Sequence, residues 1–230
     1  MSNVALNRDG LPVLADKMPA VHWNALKATY SLEDFRMPCC PSPAIPKTSS
    51  NGLPFFAHYH DECATAPETK WHREAKALIV ANLAVLGVEC QEEVVSESTT
   101  AAWKADTYFE VEGRRIVIEL QRSYQHLNNF LRRQQRYVEA GIENYWLLRQ
   151  DNFPTLTRAL GKLRLKREFC GKLPSDGMFP CIPELPVAYL ETGDAPVVKG
   201  VNLLQVSLGD WLTALIERRF RWDNGTWMIA

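Results

Sequence analysis

Two carboxylates and a carboxamide stand apart from their surroundings in this chain: Asp106, Glu119 and Gln121. Glu119 sits in the otherwise apolar run Ile116-Val117-Ile118-Glu119-Leu120, where an ionised carboxylate is costly unless something compensates it. Strand alternation puts Glu119 and Gln121 on one face and Ile118 and Leu120 on the other. Asp106 precedes Glu119 by 13 residues, which suits adjacent antiparallel strands joined by a tight turn. Two hard oxygen ligands so placed, completed by waters and the carbonyl of Leu120, suit Mg²⁺ or Mn²⁺. The competing account is a pair of edge-strand carboxylates that bind nothing.

The elements that must position these residues follow from periodicity. Over residues 68–87 helix formers run throughout, Trp71, Ala75, Leu78, Ile79 and Leu83 recur at helical spacing, and Gly87 stands where a helix stops. Strands are expected at 88–95, 105–111 and 115–121, the last two joined as a hairpin across Glu112-Gly113. A second amphipathic helix follows, with Leu127, Phe130, Leu131, Tyr137 and Val138 as its apolar stripe and Gly141 at its end, then a strand at 144–148. The order is α-β-β-β-α-β. This central region, 67–150, is preceded by a small β-rich module rich in Pro, Ser, Cys and His, 1–66. It is followed by an α/β extension, 151–230, with a basic helical stretch, a proline-rich loop over 174–186, a strand at 201–206 and a last helix.

Further residues attach to the carboxylates. Glu68, His72 and Lys76 share one helix face at i, i+4 and i+8, so Glu68 is a candidate ligand through water and His72 a candidate proton shuttle. Lys76 is either a source of positive charge or an exposed helix lysine, and the trio is alternatively an ion-pair ladder on a solvated face. Arg122, His126, Asn129, Arg133 and Arg136 follow intervals of 4, 3, 4 and 3, a cationic stripe that could run along a polyanion. Cys39, Cys40, His58, His60 and Cys63 offer zinc ligands within 25 residues. The two cysteines at 39–40 are adjacent and no C-x-x-C is present, so the spacing argues against a closed tetrahedral zinc site.

Bulk properties narrow the classes. The 230 residues are 46% hydrophobic, enough for a real core. No stretch approaches the roughly 18 apolar residues of a membrane span, and the start lacks the pattern of a secretory signal, so a cytoplasmic protein is expected. Six cysteines spread thinly read as reduced thiols. The net charge of −1 gives no argument for nucleic acid, so any polyanion site must come from local segregation. Residues 122–136 carry four arginines and no acid, 157–172 carry six basic residues against one glutamate, and 89–97 holds four glutamates. Ordinary solvated faces account for such runs equally well.

The run Asp106…Glu119-Leu120-Gln121, after one helix and before a basic helix and a strand, resembles the PD-(D/E)XK nuclease pattern and, more narrowly, the CoiA-like competence family. The segment PFFAHYH around His58, the helix start Glu68-x-x-x-His72-x-x-x-Lys76 and the later Arg133-x-x-x-Tyr137-x-x-x-Gly141 also resemble that family, over about residues 1–150. The resemblance implies a restriction-endonuclease-like α/β core and Mg²⁺- or Mn²⁺-dependent cleavage of DNA, with Asp106 and Glu119 holding metal. It also implies DNA uptake or recombination proteins as partners. Position 105 is Ala where the superfamily name has Pro, and Gln121 replaces the usual lysine, so it orients water only by hydrogen bonds. That replacement keeps open a DNA-binding accessory protein that cuts nothing. A zinc-dependent interaction module is a third alternative.

Overall fold

The computed structural model describes residues 2–38, 42–49, 51–59, 70–96 and 103–230. It divides into two compact units, Met1–Pro67 and Glu68–Ala230. In the first, β1 (Val4–Asn7) pairs antiparallel with β2 (Pro12–Leu14) and with β3 (Phe35–Arg36), and α1 (Ala20–Thr29) lies between β2 and β3 in the chain. A hairpin of β4 (Ala44–Thr48) and β5 (Pro54–His58) completes it. Trp23 of α1 meets Phe56 of β5 edge to face at 5.2 Å, and both are buried in a small core with Ala5, Ala15, Met37 and Ala44.

The second unit is a mixed α/β layer structure. Its first helix, α2 (Lys70–Val85), buries Ala75, Ile79 and Leu83 at intervals of four, and Gly87 ends it with φ +73°. Three antiparallel strands follow: β6 (Cys90–Val95), β7 (Lys104–Val111) and β8 (Arg114–Gln121). Between β7 and β8 both turn residues, Glu112 and Gly113, have positive φ (50° and 75°), the conformation whose twist matches the strands it joins. Helix α3 (Leu127–Glu139) crosses to β9 (Glu143–Arg149), parallel to β8.

Helix α4 (Phe153–Glu168) makes the next crossover to β10 (Val187–Glu191), again parallel, and β11 (Val197–Lys199) and β12 (Gln205–Ser207) return antiparallel. Residues 151–230 thus extend the same sheet, whose order is β12-β11-β10-β9-β8-β7-β6. On one face α2 and α5 (Leu208–Ile216) cover Phe109, Ile116, Ile118, Leu120 and Leu147. On the other, α3 and α4 cover Trp146, Leu148 and Val187.

Three expectations are corrected. The strand expected at 201–206 begins only at Gln205, as β12; the residues before it form the turn from β11, where Asn202 and Leu203 have φ +58° and +55° and Leu203 is 98% exposed. Beyond α5 the chain forms a hairpin of β13 (Phe220–Asp223) and β14 (Thr226–Ile229), joined by Asn224-Gly225. Val138 belongs to no apolar stripe, being 58% exposed; the buried row of α3 is Phe130, Gln134 and Tyr137. Among the described residues, no helix is long and apolar enough to cross a membrane.

Candidate active site

Alternation along β8 sends Ile116, Ile118 and Leu120 into the core under α2 and α5, and turns Val117, Glu119 and Gln121 toward α3. The β7-β8 ladder pairs Thr107 with Ile118, and one step further the same register sets Asp106 opposite Glu119. Thr107 Oγ1 donates to the carbonyl of Ile118 at 3.0 Å, and the N–H of Leu120 donates to Asp106 Oδ2 at 2.7 Å. The Asp106 side chain thus takes a backbone donor where the ladder ends.

Glu119 is 1% exposed. Its Oε2 lies 2.7 Å from Nη2 of Arg133, and its Oε1 accepts a hydrogen bond from the Tyr137 hydroxyl. That hydroxyl also lies 3.0 Å from the carbonyl of Lys104. Burial pushes the Glu119 carboxyl up to about 8, with the Asp106 charge adding to it and Arg133 and Tyr137 pulling against it. For Asp106 burial acts in the same direction, but His72, whose Nε2 lies 3.3 Å from Oδ1, and the Leu120 N–H outweigh it, and this carboxyl is held low. Neighbouring carboxylates pushed in opposite directions are what two like charges crowded into one site produce, one carboxyl holding its proton more tightly than the other.

Arg133 does more than neutralise. Its Nη1 lies 3.5 Å from Gln121 Oε1, and its guanidinium sits 4.8 Å above the ring centre of Trp146, the β9 residue paired with Glu119. Trp146 is fully buried and donates Nε1 to Gln134 Oε1 at 2.8 Å, the oxygen that also accepts Asn144 Nδ2 at 2.9 Å. The platform under the guanidinium is therefore fixed from below.

His72 is brought to Asp106, while Glu68 lies outside the described residues. Lys76 is not an exposed helix lysine: it is 5% exposed, and Nζ lies 2.7 Å from Glu93 and 3.4 Å from Glu92 of β6. Its stem is buried because it shares the row of Ala75 and Ile79, and the acids of β6 compensate the charge. Gln121 hydrogen-bonds to the carbonyl of Ser123 at 2.9 Å besides meeting Arg133. The cationic residues expected as one stripe are not all carried by one helix. Arg122 and His126 precede α3, and Arg133 is turned onto Glu119, its side chain 16% exposed. The bond of Leu120 described above uses its N–H rather than its carbonyl. Of the zinc candidates, His58 closes β5, and Cys39, Cys40, His60 and Cys63 lie outside the described residues.

Tyr137 as a polar partner and Trp146 as a platform were not read from the sequence. A signal existed: a glutamate in an apolar strand requires a donor, and the next helix carries Arg133 and Tyr137 one turn apart. Among the described residues, no three His, Cys, Asp or Glu side chains close around one point. The donor set still fits a hard divalent ion of the Mg²⁺ kind, which commonly takes one or two carboxylates and completes its shell with water and substrate phosphate. The carboxylate oxygens that accept from Leu120, Arg133 and Tyr137 each have a second lone pair.

Comparison with known proteins adds the family. No curated protein matches the chain. The crystal structure of AF1548, a protein of unknown function, is similar over 34% of this chain and 47% of its own, with 16% identity and a TM-score of 0.29. This chain therefore spans about half the length of AF1548. Pyrococcus furiosus SfsA, solved in complex with Ca²⁺, is similar over 90% of this chain and 92% of its own, with 11% identity and a TM-score of 0.29. At these scores neither likeness bears on function. Residues 68–181, which hold every element of the site from α2 to β9, match the family described as competence protein CoiA, nuclease-like domain, and that segment of the chain belongs to it.

Proposed function

We propose that this protein is a metal-dependent nuclease that hydrolyses DNA phosphodiester bonds on a PD-(D/E)XK-type core, in DNA processing linked to competence or recombination. One observation carries the reading. In a CoiA nuclease-like domain, Asp106 and the buried Glu119 stand opposite one another at the open end of the β7-β8 hairpin, their protonation pushed in opposite directions. Asp106, Glu119 and the carbonyl of Leu120 would hold Mg²⁺ or Mn²⁺. Such an ion, when bound, offers Lewis acidity and lowers the pKa of a coordinated water.

The chain's own residues supply the rest. Gln121 orients the attacking water by hydrogen bonds. His72, in contact with Asp106, takes up or returns a proton, and Glu68 assists through water. Arg122, His126 and Arg136 neutralise flanking phosphates. In the net reaction water oxygen bonds to phosphorus, the bond from phosphorus to the leaving sugar oxygen breaks, and the proton lost by water is balanced by one gained at that oxygen.

A second reading, a DNA-binding accessory protein that cuts nothing, is favoured by a specific observation. Glu119 is engaged by Arg133 and Tyr137, and position 121 carries an amide instead of an ammonium. The two separate in a cleavage assay on single- and double-stranded DNA with Mg²⁺ or Mn²⁺. The nuclease reading expects cleavage abolished by chelator and by Asp106→Ala or Glu119→Ala; binding without cleavage on every DNA form with either metal supports the accessory reading.

A further inference from the structure

We propose that Arg133 brings the positive charge of this site to the phosphate being cut, so that a cation delivered from α3 does the work an ammonium at position 121 would do. The inference rests on the nuclease reading. Arg133 occupies a sheet-facing position: Phe130, Gln134 and Tyr137, three before, one after and four after it, are all buried. A long cationic side chain at such a place is normally excluded, and this one is accommodated because its end meets Glu119 Oε2 at 2.7 Å and Gln121 Oε1 at 3.5 Å. The guanidinium thus spans the pair of strand positions that define the site, and it lies against the amide of Gln121, where an ammonium on a side chain of similar reach would fall.

The group is preorganised as well as placed. Trp146 supports the guanidinium face at 4.8 Å and is itself fixed through Gln134 and Asn144. Electrostatic stabilisation of a transition state depends on charge already in position, because little then has to reorganise as charge develops. A guanidinium pairs with carboxylate and phosphate in the same forked geometry, so its contact with the Glu119 carboxyl can be exchanged for a phosphate oxygen without moving off Trp146. In the hydrolysis written above Arg133 neither gains nor loses a proton; it donates N–H bonds to the oxygens on which negative charge accumulates. The plainer account is that Arg133 only offsets the buried charge of Glu119.

The two accounts differ in turnover. Cleavage of a labelled oligonucleotide in Mg²⁺ is measured for wild type, Arg133→Gln and Arg133→Lys, with Mn²⁺ binding by calorimetry and folding by circular dichroism. The proposal expects kcat about 100- to 1,000-fold lower in Arg133→Gln, the cost of one lost transition-state donor. It expects a loss of about tenfold in Arg133→Lys, which keeps the charge and loses the fork. In both, KM stays within about threefold and Mn²⁺ stoichiometry is unchanged, since the proposal confines the role of Arg133 to the transition state. Should Arg133→Gln fail to fold, Arg133→Lys decides alone: wild-type kcat, or loss of Mn²⁺ binding, overturns the proposal. It is equally overturned by near wild-type kcat in a folded Arg133→Gln, or by Gln and Lys variants equally depressed with Mn²⁺ binding lost. Wild-type protein that cuts no DNA removes the nuclease reading and this inference together, whereas a cutting wild type beside an unimpaired Arg133→Gln removes the inference alone.

Discussion

Replacing Tyr137 by phenylalanine removes one oxygen from a ring that is 1% exposed and packed with Ala105, Val117 and Ile142. The apolar contacts survive, with Trp103 still 5.6 Å away, so the cost is electrostatic. The hydroxyl donates to Glu119 and lies 3.0 Å from the carbonyl of Lys104, and both acceptors lose that partner inside the unit. A buried hydrogen bond with an ionisable partner is worth about 2 kcal/mol, with little refund from water at a site this enclosed. For a unit of this size that corresponds to a fall in Tm of roughly 4–8 °C. Urea and thermal unfolding of wild type and Tyr137→Phe, followed by circular dichroism, measure it. Stability within about 0.5 kcal/mol of wild type, the range of a neutral surface change, would refute the claim that this hydroxyl sustains the buried carboxylate.

Three further outcomes follow from the same structure. Arg114 pairs with Glu143 at 2.5 Å and donates to the carbonyl of Ile216 at 2.8 Å, binding β9 and the end of α5; Arg114→Ala should cost about 2 kcal/mol, discounted because Glu143 is two-fifths exposed. Hydrogen bonding from Arg114 holds the Glu143 carboxyl below its usual range, so this contribution is complete above about pH 4.5 and is lost as pH falls through the lower folded value; Glu143→Gln should flatten that acid limb in unfolding curves. Gly225 and Gly113 share φ near +75°, but a Cβ at 225 would lie 2.7 Å from Nη2 of Arg164, itself tied to Glu168 and Phe179, while nothing lies within 4 Å at 113. Alanine should cost about 1 kcal/mol at 113 and roughly twice that at 225, compared by urea unfolding.

The succession of helices and strands from α2 to β9 was legible because each element repeats its apolar residues at its own period, and because Glu112-Gly113 suits only a tight turn. Asp106 and Glu119 were legible because a carboxylate in an apolar strand demands an explanation. Two misreadings share one cause: an apolar-polar pattern assigns charge to solvent. Arg133 and Lys76 are polar by type, yet the structure turns one onto Glu119 and buries the other against Glu93, since a long stem can cross a core when its end finds an acid. Tyr137 was read as core, which its ring is, while its hydroxyl serves the site. The terminal hairpin was missed although Asn224-Gly225, a strong short hairpin signal, stands between its strands.

The central claim, that Asp106 and Glu119 together hold a divalent cation, is tested most directly by diffraction from crystals grown with Mn²⁺, using its anomalous scattering. The account predicts one strong peak within about 2.3 Å of a carboxylate oxygen of each residue, the distance expected for hard oxygen ligands. A site without a peak at saturating Mn²⁺, with Arg133 and Tyr137 still closed on Glu119, would contradict it.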